Sequence, residues 1–309
     1  MKVLLGDLGG THLNFEIYDR QKILFEKSYE TKDFCDSIKL LNKVIADSKH
    51  KVKKCILAIA GPVEKDKIAM TNAYLVFDKK KILKETVLEE IVFMNDFTAL
   101  GYAINVLGKN DLLEIHKGKK QNKKTKALIG AGTGLGKAIL NFDNGVYVPI
   151  SSEGGHGDFP AETDREFKLV KFLQKKLSTK EIVWEDLISG RGLENIYEYL
   201  ARNQKGVVKT LSSEEISRSK KDSLCKESFE MFFKFYARAA KDFALEVLAE
   251  GGLYLGGGII AKNLDFNYED FLKEFLTHPT YVNLLEKIPI FIIKDYNASM
   301  RGLEFYSSS

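Results

Sequence analysis

Residues 127–136 read Ala127-Leu128-Ile129-Gly130-Ala131-Gly132-Thr133-Gly134-Leu135-Gly136. The first four make an apolar strand, and the rest make a glycine-rich turn holding one threonine. Lys137 to Phe142 continues as a second strand, Asp143-Asn144-Gly145 is a hairpin turn signal, and Val146 to Ile150 is a third strand. The chain begins the same way. Lys2 to Gly6 is an apolar strand ending at Asp7, and Leu8-Gly9-Gly10-Thr11 is a tight turn. Leu13 to Tyr18 alternates with strand period, and Ile23 to Tyr29 is a third strand. Strand, glycine turn, strand, strand therefore occurs twice. An internal repeat of this kind predicts two related halves facing each other across a cleft.

Between the repeats, Phe34 to Ser48 reads as an amphipathic helix, with Ile38, Leu41, Val44 and Ile45 at helical spacing. Cys55 to Ala60 is a buried strand ended by Gly61-Pro62. In Ala69-Met70-Thr71-Asn72 the polar pair either faces a cleft or forms a turn. Glu90 to Met94 is a further strand and Phe97 to Ile104 a helix, with Asn95 and Asp96 at the junction. The basic run from Lys117 to Lys126 reads as a structureless connector near a domain junction. After residue 160 the chain turns helical: Asp164 to Leu177, Leu193 to Arg202 and Glu227 to Leu248. The apolar stripe of the last, from Met231 to Leu248, is core or subunit contact. Gly252 to Leu255 is a strand running into Gly256-Gly257-Gly258. Tyr268 to Leu276 is a short helix, Ile288 to Ile293 a last strand and Ala298 to Phe305 a terminal helix. The expected domains are a small α/β domain of residues 1–110 with 295–309, and a large α+β domain of residues 111–294.

Three places carry chemistry. Asn95 and Asp96 stand at a strand end, where open α/β sheets place their ligands. Asp96 could accept a proton from a hydroxyl nucleophile, and Asn95 could hold a neighbouring hydroxyl; alternatively the pair caps the helix that follows. The two glycine turns could offer backbone amides, with the Thr133 hydroxyl, to phosphates, and Asp7 could orient magnesium through water. A plain hairpin turn would have the same glycines. The second turn is no Walker A loop, because Gly136-Lys137 is followed by Ala138, and it opens no helix. Glu153 and His156 flank two glycines in Ser151-Ser152-Glu153-Gly154-Gly155-His156-Gly157-Asp158-Phe159, so both can aim at one ligand. Neighbouring hydroxyls suit this pair better than a metal, for which Asp158 is the only third ligand nearby.

Composition narrows the classes. The formal net charge is only +4, and the lysine runs lack interleaved aromatics, which argues against a nucleic-acid platform. Cys35, Cys55 and Cys225 are isolated, with no zinc or disulfide spacing, as in a reducing compartment. The first strand starts without signal-peptide features, and no apolar run spans a bilayer. A cytoplasmic protein free of membrane is expected.

Taken together, the motifs resemble the bacterial-type glucokinase family, within the larger group of sugar kinases, actin and Hsp70 chaperones. The resemblance rests on Gly6-Asp7-Leu8-Gly9-Gly10-Thr11, Ala69-Met70-Thr71-Asn72, Asn95-Asp96-Phe97-Thr98-Ala99, Gly130 to Gly136, Glu153-Gly154-Gly155-His156 with Asp158-Phe159, Leu187-Ile188-Ser189-Gly190 with Gly192-Leu193, and Gly256-Gly257-Gly258-Ile259. They run in family order over nearly the whole chain. The resemblance implies a two-domain actin-like ATPase (ribonuclease H-like) fold with duplicated mixed β-sheet domains around a cleft. It implies ATP-dependent phosphorylation of D-glucose at the 6-hydroxyl, with Asp96 as base. Asn95, Asp96, Glu153, His156 and Glu185 would hold the hexose. Asp7, Gly9, Gly10, Thr11, Gly132, Thr133 and Gly134 would surround the phosphates of ATP, Asp7 would serve Mg2+, and Gly257 and Gly258 would lie near adenosine. Glucose, ATP and a second copy of the chain are the implied partners. Two departures stand out: His12 replaces the usual Asn after Gly-Gly-Thr, and Ser151-Ser152 replaces the usual Pro-Gly before the Glu. The competing readings are a kinase for another hexose or an N-acetylated amino sugar, a sugar-binding regulator, and an actin- or chaperone-like ATPase.

Overall fold

The structure is a computed structural model that describes residues 2–61, 66–70, 74–119, 121–202, 209–295 and 297–309. Pro62 and the pair Thr71-Asn72 lie outside the described residues. The chain divides into two units. One takes in Met1–Gly108, Asp143–Ser151 and Asn297–Ser309; the other takes in Lys109–Phe142 and Ser152–Tyr296.

The first unit holds β1 (Val3–Leu8), β2 (His12–Asp19), β3 (Lys22–Glu30), β4 (Lys54–Ile59), the short pair β5 (Lys67–Ala69) and β6 (Val76–Asp78), and β7 (Glu90–Asn95). Its main sheet has the order β3-β2-β1-β4-β7. β1 runs antiparallel to β2 and parallel to β4, and β4 runs parallel to β7. Asp7 pairs with Ala58, and Ala58 pairs with Met94, so Asp7 and the Asn95-Asp96 junction stand at one end of one sheet. That is the carboxyl edge of three parallel strands, whose unpaired ends leave room for ligands.

Helix α1 (Ser37–Ser48) keeps the expected apolar spacing but starts later than Phe34. Asp36 accepts the N–H groups of Ile38 and Lys39 and so caps it at Ser37. Helix α2 (Lys79–Glu85) opens on the run Lys79-Lys80-Lys81. It is capped by Asp78 and anchored by buried Ile82. β5, β6 and α2 are too short to show a period, and this is why the sequence pattern passes over them. Helix α3 (Asp96–Ala103) follows β7 directly.

The second unit contains β8 (Leu112–His116), β9 (Lys126–Ala131) and β10 (Leu135–Asp143), after which β11 (Val146–Ser152) joins the first unit through Tyr147, whose backbone exchanges hydrogen bonds with the Asn105 side chain. Helices α4 (Asp164–Leu177), α5 (Gly190–Arg202), α6 (Ser213–Arg218) and α7 (Ser223–Glu246) follow. Then come β12 (Gly252–Gly256), α8 (Gly258–Ala261), α9 (Tyr268–Leu276), α10 (Val282–Leu285) and β13 (Ile290–Ile293). Strands β10, β9, β12, β13 and β8 lie side by side in that order. β9 is antiparallel to β10 and parallel to β12, so the ends Ala131 and Gly256 fall together. Helix α7 begins at Ser223, four residues before the expected Glu227, because Asp222 accepts the N–H groups of Leu224 and Cys225. Its Phe232, Phe235, Tyr236, Ala239 and Phe243 are buried in the main core of this unit.

Helix α11 (Ala298–Ser308) returns to the first unit. Its Met300 and Leu303 pack on Val3, Leu5, Ile56, Ala58, Met94 and Ala99. No helix among the described residues is long and apolar enough to cross a membrane.

One contact of α11 is sensitive to pH. Glu16 on β2 is nearly buried, and beside it stands Glu304. Burial first, and then the Glu304 charge, push the Glu16 carboxyl from an ordinary 4.5 up to about 8. Folding therefore takes up a proton here. The stabilisation is full below the unfolded value and is lost as pH rises through about 8. Glu16→Gln should match the parent's melting temperature near pH 5 and exceed it by several degrees near pH 8.5, since an amide carries no charge to bury. A gap that does not change between the two pH values would rule out the buried carboxyl pair.

Candidate active site

In the first unit the glycine turn closes the β1–β2 hairpin. The Gly9 N–H donates to the His12 carbonyl at 2.9 Å, and the Gly9 carbonyl accepts the Thr31 hydroxyl at 2.9 Å. His12 faces Glu30 across the hairpin, with Nε2 3.3 Å from the carboxylate. The residue that departs from the family pattern is thus used in a cross-strand pair. Asp7 is half-buried and accepts a hydrogen bond from Ser299 at the start of α11. Burial raises its carboxyl above the usual range, while the Ser299 hydroxyl works in the other direction. A carboxylate short of water suits a nearby cation. Among the described residues no cluster of three acidic, His or Cys ligands exists, and Asp7 offers a single carboxylate, as suits a cation that keeps most of its own water.

Asn95 is the N-cap of α3, and the Phe97 N–H that it binds also lies 2.9 Å from Asp96 Oδ1. The Asn95 Oδ1 accepts the Phe97 N–H at 2.8 Å, and its amide donates to the Gly61 carbonyl at 3.3 Å. An amide has two N–H donors and two acceptor positions, so each end of Asn95 keeps one for a ligand. Asp96 is the first helical residue, where the helix macrodipole favours a carboxylate. Thr98 on the same helix bonds the Ser151 hydroxyl at 2.8 Å.

In the second unit Glu153, His156 and Glu185 come together. His156 Nδ1 is 3.6 Å from Glu153, and its Nε2 is 4.0 Å from Glu185. Gly154 to His156 form one turn of 3₁₀ helix, which brings Glu153 and His156 to the same side. Ser152 steadies this turn: its hydroxyl accepts the Gly154 N–H at 3.1 Å. Glu185 sits on a second 3₁₀ turn, Trp184–Asp186, held to the first by the Trp184 N–H to the Gly157 carbonyl at 3.0 Å and by the Asp158–Val183 bridge. The side chains of Glu153 and His156 are exposed, and Glu185 is mostly covered, with Arg191 3.6 Å from its carboxylate.

The glycine turn of this unit adjoins the trio. Glu185 Oε2 accepts the Leu135 N–H at 2.9 Å, and a Cβ on Gly134 would lie 2.5 Å from that oxygen. Gly134 therefore makes room for Glu185. Gly132, by contrast, faces open space, and its carbonyl accepts the Gly190 N–H at 2.8 Å. Gly257 has φ +88°, and a Cβ there would lie 2.3 Å from the Ala131 carbonyl, so it must be glycine for the two strand ends to meet. Gly258 opens α8 beside it. Gly132, Thr133, Gly257 and Gly258 thus cluster at the carboxyl ends of β9 and β12. Lys137 passes under Gly154; burial lowers its ammonium, and Glu246 and Asp242 oppose that shift.

The two mixed α/β sheets with glycine turns at their strand ends are the fold of solved glucokinases and ROK sugar kinases, the actin-like ATPase fold. A solved glucokinase from an Antarctic psychrotroph has TM-score 0.82 and 26% identity, covering 100% of this chain and 99% of its own. A ROK family glucokinase from Streptomyces griseus, solved in complex with glucose and AMPPNP, shares the fold at TM-score 0.66 and 17% identity, covering 98% and 97%. The glucokinase of Nostoc punctiforme is 31% identical over 97% of both chains. The Glucokinase family model matches residues 4–309. The chain belongs to the glucokinase family.

Proposed function

We propose that the protein phosphorylates D-glucose at the 6-hydroxyl with ATP, giving glucose 6-phosphate and ADP at the head of glycolysis. The observation that carries this reading is the convergence of Glu153, His156 and Glu185 within about the reach of one ligand, next to the second glycine turn.

In this reading Asp96 takes the proton of the attacking hydroxyl as the new bond forms. Asn95, Glu153, His156 and Glu185 hold the other hydroxyls. Phosphoryl transfer has a loose transition state, so orientation and charge neutralisation carry most of the rate. Gly9, Gly10, Thr11, Gly132, Thr133 and Gly134 surround the phosphates; the N–H groups of Gly9 and Gly132 close their own turns, which leaves the amides of Gly10, Thr11 and Gly134 and the Thr133 hydroxyl for phosphate, and Gly257 and Gly258 lie against adenosine. Asp7 would hold Mg2+, and the ion, bound with ATP, would offset charge on the transferred phosphoryl. The proposed domains are those drawn from the sequence, residues 1–110 with 295–309 and residues 111–294, descended from one duplicated half; the observed units differ from them in that Asp143–Ser151 groups with the first. Matching strand pairings support the duplication: each opening strand is antiparallel to the next and parallel to a later one. We also propose a cytoplasmic homodimer.

A coupled assay for glucose 6-phosphate tests the activity. Turnover with glucose should exceed that with mannose and N-acetylglucosamine; a preference for either would reassign the substrate, and sugar-independent ATP hydrolysis would favour a plain ATPase. Glu153→Gln should weaken glucose binding by ten- to a hundredfold and leave ATP binding nearly intact, because a hydrogen bond to a charged group contributes roughly 1.5–3 kcal/mol. Unchanged glucose affinity by calorimetry would count against the hexose assignment.

A further inference from the structure

Arg238 of α7 is 1% exposed, the most deeply buried charged side chain among the described residues. Its guanidinium donates to the Pro160 carbonyl, to Glu166 at 2.9 Å and to Glu162 at 3.1 Å. The same group lies 5.4 Å from the centre of the Phe159 ring, 5.8 Å from that of Phe235 and 6.0 Å from that of Trp184. Phe159 and Trp184 meet edge to face at 5.2 Å. Phe159 follows the turn that carries Glu153 and His156, and Trp184 immediately precedes Glu185.

An ion pair this deep is a poor device for stability alone. Desolvation offsets most of its attraction, and apolar residues of similar volume often serve as well. The Nε of Arg238 has no partner among the described residues, a further cost. What an apolar side chain cannot do is bind the Pro160 carbonyl and two carboxylates at once while lying among the Phe159, Trp184 and Phe235 rings. A rigid fork with five donors does that, and the shorter point charge of Lys does not. We propose that Arg238 is a positioning residue for the glucose site: it holds the segments 157–160 and 182–184 in register, and so sets the spacing of Glu153 and His156 to Glu185. It touches no substrate, and the proposal rests on the hexose reading of those three residues.

The test uses the full-length protein, with steady-state constants for glucose and ATP and with circular dichroism. Trp184 is the only tryptophan of the chain, so its emission reports the segment directly. Two variants are needed: Arg238→Lys, and the double variant Arg238→Met with Glu166→Gln, which leaves no buried charge orphaned. Both should raise the glucose KM at least tenfold, leave the ATP KM within twofold, and shift the glucose titration of Trp184 fluorescence to higher concentration. The double variant should regain the parental melting temperature without regaining glucose affinity. A folded double variant with parental glucose KM overturns the proposal, as do equal shifts in both constants. Failure of both variants to fold assigns Arg238 to stability and overturns it too. Glu185→Gln, measured in parallel, separates the two levels. If its glucose KM is normal, the hexose reading fails; if it is raised while the Arg238 variants are normal, only the role of Arg238 fails.

Discussion

Asp96→Asn should lower kcat for glucose phosphorylation by at least about 10²-fold, the usual size of a general-base contribution. The melting temperature should stay within a few degrees and glucose should still bind. Asn95 is the cap of α3, with its oxygen on the Phe97 N–H, so the substitution at 96 leaves that cap in place. Asp and Asn have nearly the same size, and an amide accepts hydrogen bonds as a carboxylate does. It cannot take up the proton of a hydroxyl. The variant therefore separates proton acceptance from everything else the side chain does. Turnover close to the parental rate would show that Asp96 is not the base.

The second large effect falls on Gly134. From the sequence alone, a side chain there is expected to obstruct phosphates and raise the ATP constant more than the glucose constant. The structure reverses the expected order. A Cβ would stand 2.5 Å from Glu185 Oε2, so the carboxylate must leave the Leu135 N–H and swing away. Gly134→Val should raise the glucose KM by roughly ten- to a hundredfold, the value of a lost hydrogen bond to a charged group, and move the ATP KM less. Gly132→Ala meets nothing within 4 Å and serves as the comparison. It should fold normally and act, if at all, on ATP. A Gly134→Val enzyme that loses ATP affinity and keeps glucose affinity would return this glycine to the phosphates.

These positions also show what a sequence discloses. The repeat of strand, glycine turn and hairpin was legible because strand period and paired glycines are local signals, and β1 to β3 and β9 to β11 follow it. The strand end carrying Asn95-Asp96 was legible for the same reason. Which of the two residues caps α3 was not, because the choice depends on backbone geometry at one residue. Glu185 sits in an unremarkable Trp-Glu-Asp run, and only the family resemblance singled it out; its partners Leu135 and His156 are remote in sequence. Arg238 does not stand out in the sequence, because apolar spacing dominates the pattern of its helix. A lone arginine beside Phe235 and Ala239 on such a stripe was the available signal, and buried partners 72 residues away gave it meaning.

The pairing of α11 with the opening strands has a consequence for synthesis. Residues 297–309 belong with residues 1–108, and the ribosome makes everything between them first. At about 5–20 residues per second, that interval lasts roughly ten to forty seconds. Throughout it, Val3, Leu5, Ile56, Ala58 and Met94 lack the cover of Met300 and Leu303, and Asp7 lacks the Ser299 hydroxyl. The nascent first unit thus carries an open apolar sheet face until the last helix leaves the exit tunnel, a standing opportunity for chaperones and for neighbouring chains on the same messenger.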